Sequence, residues 1–148
     1  MRTLARYFFN VLLILPMATL ANPSNVKVFD NYEVHYSIFN TSFLSPDIAE
    51  SYQLVRSGSK ALINIAVLEK NQDGVLQNVD ATISGDQFDL IRKEQLTFKE
   101  VREQQAIYYL STIDIQHRTL IYFTFKIKPS TSKSEYTLEF SKELFKDE

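Results

Sequence analysis

Five residues of this 148-residue chain carry side chains suited to recognition: His35, Asn40, Arg56, Arg102 and Tyr122. His35 is one of two histidines and stands two positions after Glu33. On a strand that spacing puts both side chains on one face. An imidazole next to a carboxylate is a hydrogen-bonding pair whose charge responds to its surroundings. Asn40 closes the same aromatic stretch, NYEVHYSIFN. Arg56 lies in VRSGS and Arg102 in EVREQ, and an arginine fork suits a carboxylate on a peptide or partner protein. Tyr122 falls on the polar side of an alternating run, a position for a solvent-facing ring. One expectation joins His35, Asn40, Arg56 and Arg102 in a single polar patch, with Tyr122 as an exposed aromatic contact. The plainer expectation makes His35 a surface histidine bonded to Glu33, and Arg102 an ion-pair partner of Glu100 and Glu103.

The residues that are missing remove most catalytic chemistry. There is no Cys, and the three glycines are Gly58, Gly74 and Gly85. No serine has glycine on both sides, so no nucleophile elbow of the GxSxG kind exists. A serine triad would need a histidine oriented by a carboxylate and reaching a hydroxyl, and the spacing does not single one out. Two separated histidines without sulfur ligands do not make a copper or zinc centre. Asn71 to Gly74 (NQDG) lacks the later ligands and closing Glu of a calcium loop, and reads as a turn. Glycine-rich phosphate cradles are absent too. No catalytic residue, metal ligand or cofactor is expected.

The elements that must position these residues are almost all strands. The N-terminus, MRTLARYFFNVLLILPMATLA, is a basic start, a short apolar run and small residues, the secretory leader pattern, with cleavage expected after Ala21. Its apolar run is shorter than the roughly 20 residues a membrane span needs. Residues 22–148 are then one domain of 127 residues with 14 Lys and Arg against 18 Asp and Glu, a net charge of −4. A mildly acidic chain with no basic stripe does not fit nucleic acid. Tyr32, Val34, Tyr36 and Ile38 alternate with polar residues, as do Ile121, Phe123, Phe125 and Ile127, which is the period of half-buried strands. ALINIAVL, residues 61–68, is nearly continuous apolar and reads as a central strand.

About seven strands are expected, near 26–40, 60–69, 75–83, 87–100, 106–115, 118–128 and 135–141. Turns are expected at Asp73-Gly74, Ser84-Gly85-Asp86, Gln116 to Arg118 and Pro129 to Ser132. That spacing predicts an all-β, two-sheet antiparallel sandwich of immunoglobulin or fibronectin type III kind. Ser45-Pro46-Asp47 opens one short helix near 46–52, with a capping serine and proline in the first turn. Ile48 and Tyr52, four apart, are expected to dock it on a sheet.

NYEVHYSIFNTSFLSPDIAESYQLVRS, LTFKEVREQQAIYYL and the ending YTLEFSKELF together resemble domain-of-unknown-function family 4426, small secreted proteins of Gram-negative bacteria. The resemblance implies a periplasmic β-sandwich of unassigned function and supplies no catalytic residues. The leading functional expectation is a non-enzymatic module that docks on an envelope protein or peptide. The alternative is a small-ligand binder with a pocket between the sheets or near the short helix. An internal cavity lined by Tyr36, Tyr52 and Tyr108 would favour it and a fully packed core would not, and a hydrolase ranks third.

Overall fold

The computed structural model describes residues 25–147. The expected leader, residues 1–21, and its cleavage point lie outside the described residues. Among the described residues ten strands occur in chain order: β1 (Asn25–Phe29), β2 (Tyr32–Asn40), β3 (Lys60–Lys70), β4 (Leu76–Asn78) and β5 (Ala81–Phe88), then β6 (Lys93–Leu96), β7 (Lys99–Glu103), β8 (Ala106–Asp114), β9 (Arg118–Pro129) and β10 (Tyr136–Phe145). A 3-10 turn (Thr41–Phe43) and one helix, α1 (Pro46–Tyr52), lie between β2 and β3. No helix among the described residues is long and apolar enough to cross a membrane.

The strands form two antiparallel sheets. One has the order β1-β2-β3-β8-β7, with β4 also on β3; the other has the order β10-β9-β5-β6. Without β1 and β4, the order β2-β3-β8-β7 facing β10-β9-β5-β6 is that of an immunoglobulin-type sandwich, A-B-E-D against G-F-C-C′. The expected fold class is therefore the observed one. The period-two residues make the core: Val34, Ile38, Ile63, Ile65 and Val67 from one sheet meet Phe123, Phe125, Ile127 and Leu138 from the other. Phe125 is central, with Phe98 edge-on at 5.7 Å and Phe140 at 5.6 Å between ring centroids.

Four local expectations need correction. Residues 26–40 are two strands, because Asp30 at φ 51° reverses the chain so that Phe29 pairs with Tyr32. The expected strands 75–83 and 87–100 resolve into β4, β5, β6 and β7. Ser84-Gly85-Asp86 is no turn but the middle of β5, paired across to Lys126, Phe125 and Thr124. Glycine is required there by close approach: a Cβ at Gly85 would stand 2.6 Å from both Thr124 O and Phe125 Cδ1. The helix is where the sequence places it, with Ser45 Oγ accepting from the Ile48 N–H at 3.3 Å and Asp47 in the first turn. Its buried side is Ala49, however, while Ile48 is 40% exposed.

Candidate functional site

The outer face of the six-stranded sheet holds a polar concavity of about 280 Å³, lined by His35, Ser37, Asn64, Asn78 and Tyr108 over an apolar floor that includes Leu68. Strand pairing assembles it. His35 of β2 stands opposite Ala66 of β3, and Ser37 stands opposite Asn64. Tyr108 follows from the alternation of β8: Tyr109 is buried in the core, so its neighbour turns outward. His35 Nε2 donates to Glu33 Oε2 at 3.1 Å, and in the neutral ring this tautomer has Nδ1 as an acceptor. Lys70 Nζ stands 3.6 Å from the other oxygen of Glu33. The bond from His35, with the Lys70 charge beside it, holds the Glu33 carboxyl below its ordinary value of 4.5.

Asn64 is the unusual member. Its Oδ1 is shielded from solvent and no donor among the described residues reaches it; Gln87 Oε1 is the other such atom. Asn78 Oδ1 takes the Ile107 N–H at 3.4 Å, so its amide N–H groups remain to donate. Asn64 is the one amide in the apolar run ALINIAVL, and that was the available signal. Nothing in the spacing tied it to Ser37, His35 or Asn78.

The other four residues singled out from the sequence do not join this concavity. Asn40 is only 6% exposed, and its Nδ2 donates to Phe145 O at 2.7 Å, with Gly58 O at 3.4 Å. It fastens the end of β2 to the end of β10. Arg56 donates to Ser42 O at 3.2 Å in the loop after α1. Arg102 sits on the core-side row of β7, where Glu100 Oε1 at 2.6 Å and Asp80 hold its guanidinium. Tyr122 projects from the opposite sheet. The single polar patch of His35, Asn40, Arg56 and Arg102 is therefore not what the fold assembles. Tyr36, Tyr52 and Tyr108, expected around an internal cavity, do not line one together: Tyr36 and Tyr108 border this open concavity on the outer face and Tyr52 does not. Burial, with Glu103 beside it, pushes the Tyr52 hydroxyl up to about 12.

Tyr122 belongs to a second surface feature, an apolar end of the four-stranded sheet. Its ring lies 6.4 Å from that of Phe88, its strand partner, and Leu120 follows on the same outer row of β9. Phe145, opposite Arg118, lies under that guanidinium at 5.6 Å. The β5–β6 turn adds Leu90 and Ile91, 63% and 86% exposed. Leu90 adopts φ 74°, a left-handed conformation rarely taken by leucine. Asp89 Oδ1 pins the turn by accepting from Ile91 N–H at 3.0 Å and Arg92 N–H at 2.7 Å. Those two bonds hold the Asp89 carboxyl below its ordinary value. The neighbouring charges are matched, Arg118 with Glu143 at 2.5 Å and Lys93 with Asp86 at 3.2 Å. The end thus displays apolar side chains among paired charges, with Arg92 standing 3.9 Å from both Asp89 and Glu94. The sequence reading missed this turn because QFDLIRKEQL contains neither Gly nor Pro.

Among the described residues no three His, Cys, Asp or Glu side chains cluster as metal ligands. No curated protein matches the chain. Among solved structures, FetP of uropathogenic Escherichia coli, recombinantly expressed in the periplasm, superimposes with a TM-score of 0.58 at 11% identity, over 82% of this chain and 93% of that one. A copper-bound variant of FetP gives 0.59 at 11% identity, over 81% and 93%. At that identity the likeness is one of fold. A DUF4426 family protein from Pseudomonas aeruginosa is 36% identical, with a TM-score of 0.73 over 84% of this chain and 97% of its own. The sequence model of the domain of unknown function DUF4426 matches residues 26–147. By both measures, this chain belongs to the DUF4426 family.

Proposed function

We propose that this protein is a non-enzymatic binding module of the bacterial envelope, exported to the periplasm through residues 1–21. In this reading it docks on a partner protein through the apolar end of its four-stranded sheet. The observation that carries the reading is the β5–β6 turn. A left-handed leucine costs about 1–2 kcal/mol relative to a right-handed one. Glycine would remove that strain, yet the turn keeps leucine and displays it beside Ile91. Strain retained where it exposes apolar side chains is characteristic of recognition surfaces. Phe88, Leu120 and Tyr122 continue the apolar surface, and the paired charges around it favour an apolar partner face over a strongly charged one. The leader pattern supports export, and the periplasmic expression of FetP, a protein of the same fold, is compatible with it. Copper is not carried over from the FetP variant: His35 of β2 is bonded to Glu33, His117 stands in the β8–β9 loop, and there is no Cys.

The test is photo-crosslinking in intact cells at native expression, with reactive groups at positions 90, 91 and 122. Position 128, on the same outer face but at the other end of β9, is the control. One partner protein captured at the first three positions and not at 128 is the expected result. Equal capture at all four, or none, removes the reading. Adducts to lipid in place of protein would make the same end a membrane contact and overturn the protein-docking proposal. Export is checked separately by the intact mass of the periplasmic form, expected to begin at Asn22.

A further inference from the structure

The concavity on the six-stranded sheet lies on the opposite side of the sandwich from the apolar end, and its chemistry is of another kind. We propose that it binds the hydroxyl-rich ring of a neutral sugar, through Asn64, Asn78, His35, Ser37 and Tyr108. Its size selects a small ligand, since about 280 Å³ falls just below the roughly 300–1,000 Å³ range of ligand pockets. Its charge selects a neutral one. Glu33, two residues from His35 on the same strand, is satisfied by His35 Nε2 and Lys70, and no unpaired charged side chain among the described residues lines the concavity.

The polar groups are arranged in complementary kinds. His35 Nδ1 accepts, the Asn78 amide N–H groups donate, and the hydroxyls of Ser37 and Tyr108 do either. A sugar ring offers the same mixture, because each hydroxyl both donates and accepts. Its C–H faces also need an apolar floor, and Leu68 with Ala66 and Ala106 supply one.

Asn64 gives the argument its direction. A shielded oxygen without a donor is destabilising by about 1–3 kcal/mol, and folded proteins rarely keep one. Ser37, its cross-strand neighbour, does not satisfy it. Asn64 lines the concavity, so a ligand hydroxyl seated there is the donor that could reach Oδ1. An O–H donor from the ligand would repair the defect. That interaction is gained only on binding.

The measurement is a titration of the exported form with glucose, N-acetylglucosamine, its linear trimer and, as a charged control, glucuronate. The side-chain amide signals of Asn64 and Asn78 and the His35 imidazole are followed by NMR. Saturable shifts of those signals with a neutral sugar, and none with glucuronate, are expected. Binding of the monosaccharides as well as the trimer identifies a free ring as sufficient; binding of the trimer alone identifies a ring within a glycan chain. Asn64→Leu is expected to keep or raise the melting temperature, since it removes an unsatisfied buried atom. It should weaken binding about tenfold, the equivalent of one net hydrogen bond. Tyr108→Phe, which keeps the ring, should weaken binding by a smaller factor. No shift with any neutral sugar, or shifts indifferent to both substitutions, overturns the proposal. The crosslinking at positions 90, 91 and 122 is unaffected by either outcome, so the two sites stand or fall separately.

Discussion

At the scale of single residues, the polar groups that matter are those that close the structure where strands run out. Among the described residues β1 pairs with β2 as far as Tyr36, and beyond it side chains from β10 and its neighbours meet that edge of β2. Lys142 Nζ caps Ile38 O at 2.6 Å, and burial lowers the affinity of that amine for its proton. Asn40 bonds Phe145 O from the other direction. Asn40→Ala is therefore expected to destabilise the protein by about 1 kcal/mol, because the Phe145 carbonyl loses its partner in a partly buried setting. A urea titration that finds no change in midpoint would contradict that role. Glu33 makes a prediction with a definite sign. Its folded-state value lies below 4.5, so its contribution is present above pH 4.5 and is lost as pH falls through the folded value. Glu33→Gln should flatten that part of the acid-denaturation curve and leave the curve above pH 6 with little change in shape. An acid limb as steep as that of the unsubstituted protein would disprove the assignment.

At the scale of elements, the β5–β6 turn and α1 show two ways of stabilising a short segment. α1 has a capping serine at its start and ends at Gln53 in the left-handed region, φ 58°, where the chain leaves the helix. The β5–β6 turn relies on Asp89 and carries its strain at Leu90. Leu90→Gly should therefore separate stability from recognition. Removing the left-handed penalty, offset in part by the added freedom of the unfolded chain, predicts a gain of up to about 1 kcal/mol. The same change deletes an apolar contact, so crosslinking through position 122 should fall. A variant that loses stability would show that leucine packing, and not display, explains the residue.

At the scale of the whole molecule, long-range pairings dominate. β3 pairs with β8 across Ile65 and Tyr109, and β5 pairs with β9 across Ala81 and Pro129. Sandwiches of this kind must close large loops before the contacts reward them, and they fold in milliseconds to seconds. Refolding of residues 22–148 from urea should show a principal phase in that range by stopped-flow fluorescence; a microsecond phase carrying the full amplitude would refute it. Phe125→Ala, at the centre of the aromatic cluster, should lower stability by about 3–5 kcal/mol and shift the unfolding midpoint accordingly.

The amino-acid order by itself determined which residues of a strand face inward. Ile121, Phe123, Phe125 and Ile127 are buried because a pleated strand turns over at every residue, a strictly local property. The helix at Pro46–Tyr52 was legible for the same reason, since its cap and first turn are neighbours in the chain. His35 and Glu33 were readable as a pair because two residues on one strand face lie side by side. Gly85 was misread because the contact that demands glycine comes from β9, some forty positions away. The remaining site was likewise beyond local reach. Whether Asn64 meets Ser37, and whether Arg102 turns to Asp80 or toward His35, depends on which strands pair and in what register. Backbone hydrogen bonds join strands of any sequence. That choice is made only when both sheets close over one core, so the tertiary structure decided the neighbours that alternation could not name.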